Sequence, residues 1–237
     1  MTEGNPSQQP VEEVVVPAEG VWRIGPATDP YHVGRPLKPE ELNDPFAGHR
    51  FDSPLGNYGV LYFATRLEGC FGETLARFRP DVELVAVIRP DWRSLNFMAP
   101  GNIPADWRHR RLAVRATPAD GSEAVFLDVE SSATRAVLRE ELAPALVALG
   151  VDDLDVPTIR GGDRRVTRIV SFWAWSQRQD DGRPRYSGIR YVSRLSSDWE
   201  CWAIFDRVST RELERRQVTH EMAELKAVVD LWGLTVH

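Results

Sequence analysis

Cysteine is scarce. Cys70 and Cys201 are the only two in 237 residues, which excludes a disulfide framework and points to a reducing, cytoplasmic setting. Histidine is sparse too. The five, at positions 32, 49, 109, 220 and 237, show no metal-ligand spacing, so no metal site is expected. No apolar run approaches the roughly 18–20 residues of a membrane-spanning helix, and the N-terminus lacks the basic start and apolar middle of a secretory signal. Basic charge falls short of acidic: 29 Lys and Arg stand against 35 Asp and Glu, a net charge of −6. That balance argues against a general binder of phosphate backbones. The clusters "RHRR" (108–111) and "RELERRQ" (211–217) read as solvated faces, and neither nucleic acid nor membrane is expected as a partner. Also missing are GxGxxG after a strand, GxxxxGK[ST], HExxH and CxxC, and the GxSxG elbow of serine hydrolases.

What is present reads as an ordinary globular chain, 42% apolar and 27% charged. Residues 1–20, rich in Pro, Glu, Gln and Gly, are expected to form a mobile tail, and 21–237 a single domain. Eight tryptophans are spread along the chain and read as core. Strands are expected at 21–24, 59–65, 82–90, 110–117, 123–129, 188–194 and 201–207. Residues 25–57 read as loop with one short helical turn. Helices are expected after 65, over 131–149 with a break at Pro144, over 164–177, and as a charged helix near 209–226. In 164–177, Val166, Ile169, Val170, Trp173 and Ala174 recur at helical spacing. Strands and helices mix without strict alternation, which predicts an α+β fold with a mixed sheet core and flanking helices.

The segment "YGVLYFATRLEGCFGETLARF" (58–78) runs from strand to helix. Leu67, Phe71, Leu75 and Phe78 make its buried stripe, and Glu73 lies almost opposite. Glu73 shares its face with Gly69, Gly72 and Ala76. Two glycines inside a helix cost roughly 1 kcal/mol each relative to alanine, so something must approach this face closely. Other polar residues sit at the ends or within apolar strands: Arg23 in "VWRI", Arg50 in "GHRFDSP", Tyr62 in "GVLYFAT" and Ser193 in "GIRYVSR". Each alone also reads as a structural ion-pair partner, a core tyrosine or a strand end.

In this order the five resemble the RES domain family, named for its Arg, Glu and Ser. The resemblance runs from about Trp22 to Arg207 and rests on "WRI", on Arg50 followed by "LYFAT", on Glu73 eleven residues beyond Tyr62, and on "GIRYVSR…CWAIFDR". Where the family often shows "GGRW", this chain has "GHRF", with His49 and Phe51 at the changed positions. The resemblance implies a compact fold similar to ADP-ribosyltransferases of the diphtheria-toxin kind. It also implies an enzyme that takes NAD+ as substrate, with no separate cofactor, and cleaves its nicotinamide–ribose bond as a phosphorylase or glycohydrolase. The family supplies toxins of bacterial toxin–antitoxin pairs, so phosphate and an antitoxin protein are implied partners. Alternatives are mono-ADP-ribosylation of a protein and a non-catalytic ligand-binding or interaction module. The site implied is catalytic Glu73, Arg50 and Ser193, with Arg23, Arg50, Tyr62 and Ser193 binding NAD+: the arginines on the diphosphate, Tyr62 on the nicotinamide ring or a ribose hydroxyl, Ser193 on the ribose or orienting Glu73. On this reading the Gly69–Gly72–Ala76 face leaves room for the ribose–nicotinamide end.

Overall fold

A computed structural model describes residues 11–87, 100–119 and 124–237. The chain opens with β1 (Glu13–Val14) and β2 (Val21–Pro26), then crosses an irregular stretch with one 3-10 turn at Pro39–Glu41. Next, β3 (Val60–Ala64) turns directly into α1 (Leu67–Leu75). A short α2 (Val82–Val87), β4 (Asn102–Ile103) and α3 (Ala105–His109) lead to β5 (Arg111–Pro118) and β6 (Phe126–Asp128). Helices α4 (Ser132–Glu141) and α5 (Ala143–Ala148) are separated at Leu142. The ring of Pro144 cannot continue a helix but is accommodated in the first turn of a new one. Then come α6 (Val156–Arg160), α7 (Arg164–Ser176), β7 (Gly188–Val192), β8 (Glu200–Phe205), β9 (Thr210–Gln217), α8 (Ala223–Trp232) and β10 (Thr235–Val236).

Eight strands form one sheet in the order β1-β6-β7-β8-β3-β2-β5-β9. Within this sheet β6 and β7 pair in parallel and the other described pairs are antiparallel; the β6–β7 crossover carries α4 to α7. The short β4 and β10 pair separately. Strand alternation divides the core between the two faces of the sheet. On β2, Trp22 and Ile24 face the helices with Phe71 and Leu75 of α1. Val21, Leu61, Phe63, Trp202 and Ile204 form a second cluster on the opposite face. Phe71 and Leu75 are fully buried, and each contributes about 1.5–3 kcal/mol to holding α1 down.

The mixed α+β architecture matches the expectation, and three local readings need correction. The strand expected at 82–90 is helical over Val82–Val87, and 88–90 lie outside the described residues. Val82 and Val85 are exposed, so β-branched propensity has no sheet to pack against, and Pro80-Asp81 followed by Glu83 favours a helix start. The charged helix expected near 209–226 is instead β9 followed by α8 from Ala223. Charge on β9 suits an outer strand, because edge strands avoid aggregation by carrying it, and Arg115 of β5 pairs with Glu214 there. The tail expected over 1–20 is shorter at its C-terminal end. Glu13–Val14 pairs with Phe126–Leu127 and Val16 is buried; residues 1–10 lie outside the described residues.

Candidate active site

Glu73 projects from the outer side of α1 and is exposed. Ser193 follows β7, is 2% exposed, and its Oγ donates to Glu73 Oε1 at 2.6 Å. The same Oγ accepts from the amide of Leu195 at 3.0 Å, and the Ser193 amide donates to the Trp199 carbonyl. The serine hydroxyl is therefore fixed by its own turn before it meets the carboxylate. Among the described residues Glu73 has no salt-bridge partner, so its charge is held in place without being neutralised.

The small-residue face of α1 is filled from within. A Cβ added to Gly72 would lie 2.1 Å from Cζ3 of Trp199, and one on Gly69 would lie 3.4 Å from Trp199 Cβ. The Trp199 indole occupies the space, braced edge-on by Trp232 of α8 at 5.6 Å between ring centroids. The expectation that this face leaves room for the ribose–nicotinamide end is therefore corrected. The glycines admit an indole that the 193–199 turn must bury, and this packing clamps α1 to that turn and sets Glu73 against Ser193.

Arg50 comes from the irregular segment before β3. Its Nη2 donates to the Ile159 carbonyl at 2.5 Å and its Nη1 to the Val192 carbonyl at 3.5 Å. The guanidinium lies over the rings of Tyr191 and Phe51, 5.0 and 5.4 Å from their centroids. Its Nε is buried with no hydrogen-bond partner among the described residues. A polar stripe on α7 holds the segment carrying it. Arg164 donates to the carbonyls of Phe46 and Gly48, Thr167 to that of Arg50, Arg168 to those of Leu42, Asp44 and Ala47, and Ser171 to that of Phe51. Arg168 is 1% exposed, so this helical face is an interior surface that satisfies loop carbonyls.

Tyr62, on β3, donates its hydroxyl to Asp52 Oδ1 and accepts from the Phe51 amide, both at 3.0 Å. Burial, then the charge of Asp52, holds its phenol well above the ordinary value. That hydroxyl is committed to anchoring the loop beside Arg50, while the ring lies 5.3 Å from that of His49. Arg23 is placed apart. Its neighbours Trp22 and Ile24 face the helices, so alternation sends Arg23 to the other face, 5.9 Å from the Phe63 centroid. It donates to the carbonyls of Pro30, Tyr62 and His32. β2 and β3 share one paired position, Trp22↔Ala64, and Arg23 bridges the gap where they part. The structure thus brings together Glu73, Ser193, Arg50 and Tyr62, with Arg23 on the other face of the sheet and its Nη1 on the Tyr62 carbonyl.

Charge links these groups through the buried residues between them, and Arg23 reaches the same interior through Cys70. Burial first, then Cys201 and Glu73, push the Tyr191 phenol well up, while Arg50 pulls it down. Burial, with Glu73 next, pushes the Cys201 thiol well up. Cys70 is pushed up to about 12, by burial first, with Glu73 adding and Arg23 opposing. Both thiols are protonated at neutral pH and are poor nucleophiles. Among the described residues no group of three or more His, Cys, Asp or Glu is arranged to hold a metal ion, and no helix is long and apolar enough to cross a membrane. Cavities of about 420 Å³ beside α6 and about 390 Å³ beside Arg190 are lined by none of these site residues. Glu73 lies on an exposed face of α1.

Sequence reading did not find Asp52, Thr167, Tyr191 or Trp199. Tyr191 lies inside "GIRYVSR", and the i, i+3, i+4, i+7 recurrence of Arg164, Thr167, Arg168 and Ser171 was a readable signal for the loop-holding face. Nothing in the sequence marked Trp199 as the group against Gly72.

No curated protein matches the chain. Among solved structures, one from the M. tuberculosis MbcT–MbcA toxin–antitoxin complex is similar with a TM-score of 0.46 and 11% identity, covering 93% of this chain and 91% of that one. The family model described as RES domain matches residues 21–226. With most of the chain matched, and with Arg50, Glu73 and Ser193 inside the matched span, the protein belongs to the RES domain family.

Proposed function

We propose that this protein consumes NAD+ by cleaving the bond between nicotinamide and ribose. The observation that carries the reading is the 2.6 Å bond from Ser193 to Glu73, which fixes a carboxylate that has no salt-bridge partner among the described residues. Nicotinamide in NAD+ is already a cationic leaving group, so its departure as a neutral base needs no general acid. The C–N bond breaks with its electron pair going to the nicotinamide ring, and positive charge develops on the ribose, as in glycoside hydrolysis. A preorganised carboxylate stabilises that charge where it appears. One acid is sufficient, in contrast to the paired acids of ordinary glycosidases.

Arg50 holds the diphosphate bridge, since guanidinium matches phosphate oxygens with paired donors. Tyr62 offers its ring face to the nicotinamide, and Arg23 acts as an internal strut. Phosphate or water accepts the ribose. Exposure of Glu73 also suits a protein side chain as acceptor, which makes mono-ADP-ribosylation the second reading. RES membership supports a toxin role with an antitoxin partner that covers the open face at Glu73.

Incubating the purified protein with NAD+, with and without phosphate, tests this. The expected result is nicotinamide with ADP-ribose or its 1″-phosphate, and loss of both products in Glu73→Gln. Nicotinamide release undiminished in that variant would remove Glu73 from the mechanism.

A further inference from the structure

The parallel β6–β7 pairing stops before β7 does. The last paired positions are Asp128↔Arg190, and the Val129 amide donates to the Arg190 carbonyl. The amide of Val192, two residues further and directly before Ser193, has no β6 residue opposite it. The side chain of Glu130 takes that place: Oε1 accepts from the Val192 amide at 2.9 Å. Its side chain is only 8% exposed and its carboxylate receives a forked contact from Arg160, Nη2 to Oε2 at 2.8 Å and Nε to Oε2 at 3.1 Å. Arg160 is the last residue of α6. Its chain neighbour Ile159 supplies the carbonyl that holds Arg50 Nη2, and its Nη1 lies 3.5 Å from Ser197 Oγ in the turn after Ser193. One largely buried side chain therefore has two arms. The first runs through the Val192 amide to Ser193 and Glu73. The second runs through Arg160 and Ile159 to Arg50.

We propose that Glu130 is a positioning residue that sets the placement of both the Ser193–Glu73 pair and Arg50. The kinetic part of this inference rests on the NAD+ reading above. The geometry makes the two arms separable. Glu130→Gln keeps an acceptor oxygen for the Val192 amide but removes the charge that holds Arg160. Glu130→Leu removes both. Displacement of a binding or reacting group by an ångström or less costs an order of magnitude or more in rate or affinity, and the effect falls on KM or kcat according to the arm released.

The test uses the full chain, with steady-state nicotinamide release and peptide-level hydrogen exchange on wild type, E130Q, E130L, R160Q and R160K. Expected for E130Q and R160Q is a rise of about tenfold in KM for NAD+ with kcat within about twofold, and faster exchange over 46–52. The double variant E130Q/R160Q should be no worse than either single change, since both break one link. R160K restores the charge without the fork and should fall between wild type and R160Q. E130L should also lower kcat about tenfold and speed exchange over 190–195. Unchanged exchange over both segments in E130Q and E130L, or a lowered melting temperature with KM and kcat both intact, overturns the proposal. If wild type releases no nicotinamide while exchange shifts as expected, the positioning role stands and the NAD+ reading fails.

Discussion

At the residue scale, Ser193 separates orientation from charge. Its hydroxyl donates to Glu73 and is itself fixed by the Leu195 amide, so Ser193→Ala leaves the carboxylate present but free to turn. The expected outcome is a kcat lowered about ten- to a hundredfold with KM near wild type, because a preorganised charge acts mainly in the transition state. Steady-state kinetics checks it, and a wild-type kcat would show that Glu73 holds its own orientation. Glu73, Ser193 and Arg50 were legible from their place at strand and helix ends within a recognisable order. Arg23 looked equally eligible because "VWRI" belongs to a strand buried on both faces, and such a strand shows no alternation from which to read direction. Trp199 could not be read as the partner of Gly72, since the 193–199 turn reaches α1 only through tertiary packing.

At the element scale, α7 is the helix whose two sides do different work. Val166, Val170 and Ala174 are buried in the core, while Arg164, Thr167, Arg168 and Ser171 hold the segment that carries Arg50. Thr167→Val keeps shape and loses one donor to the Arg50 carbonyl. It should raise KM for NAD+ severalfold with little change in kcat; an unchanged KM in that titration would detach the stripe from binding. Helix α1 gives a stability test. Gly72→Ala places a methyl 2.1 Å from an indole braced by Trp232, and overpacking of this kind costs about 1–3 kcal/mol. Thermal melting should show the loss, although alanine is the better helix former, and a stabilised variant would mean the indole is free to move aside. Most elements with a full period were legible. The exceptions share one cause: "VELVAV" and "TRELERRQ" carry the local propensities of a strand and a helix, whereas exposure in one case and an edge position in the other decide their structure.

At the scale of the whole molecule, surface carboxylates set the acid limit. Glu41, hydrogen-bonded by Arg35, is held at about 2 against an ordinary 4.5. Arg165 holds Asp163, Arg215 holds Glu212 and Arg216 holds Glu214 below their ordinary values. A carboxylate depressed in the folded state gives stability that is present above its unfolded value and lost as pH falls toward the folded one. The melting temperature should therefore be steady near neutrality and decline from about pH 4.5 toward 2, less steeply in high salt because exposed pairs are screened. A flat profile to pH 3 at low salt would show that these pairs do not act in folding. The function proposed for this scaffold depends on the Glu73 carboxylate of α1 meeting Ser193 just after β7, where the fold brings the two together. Quantifying nicotinamide released from NAD+ by wild type and Glu73→Gln, alongside NAD+ binding by calorimetry, tests that claim most directly. Release by wild type, a loss of at least about 10²-fold in the variant and retained binding are expected; equal release by both, or none by wild type, would remove Glu73 or NAD+ from the chemistry.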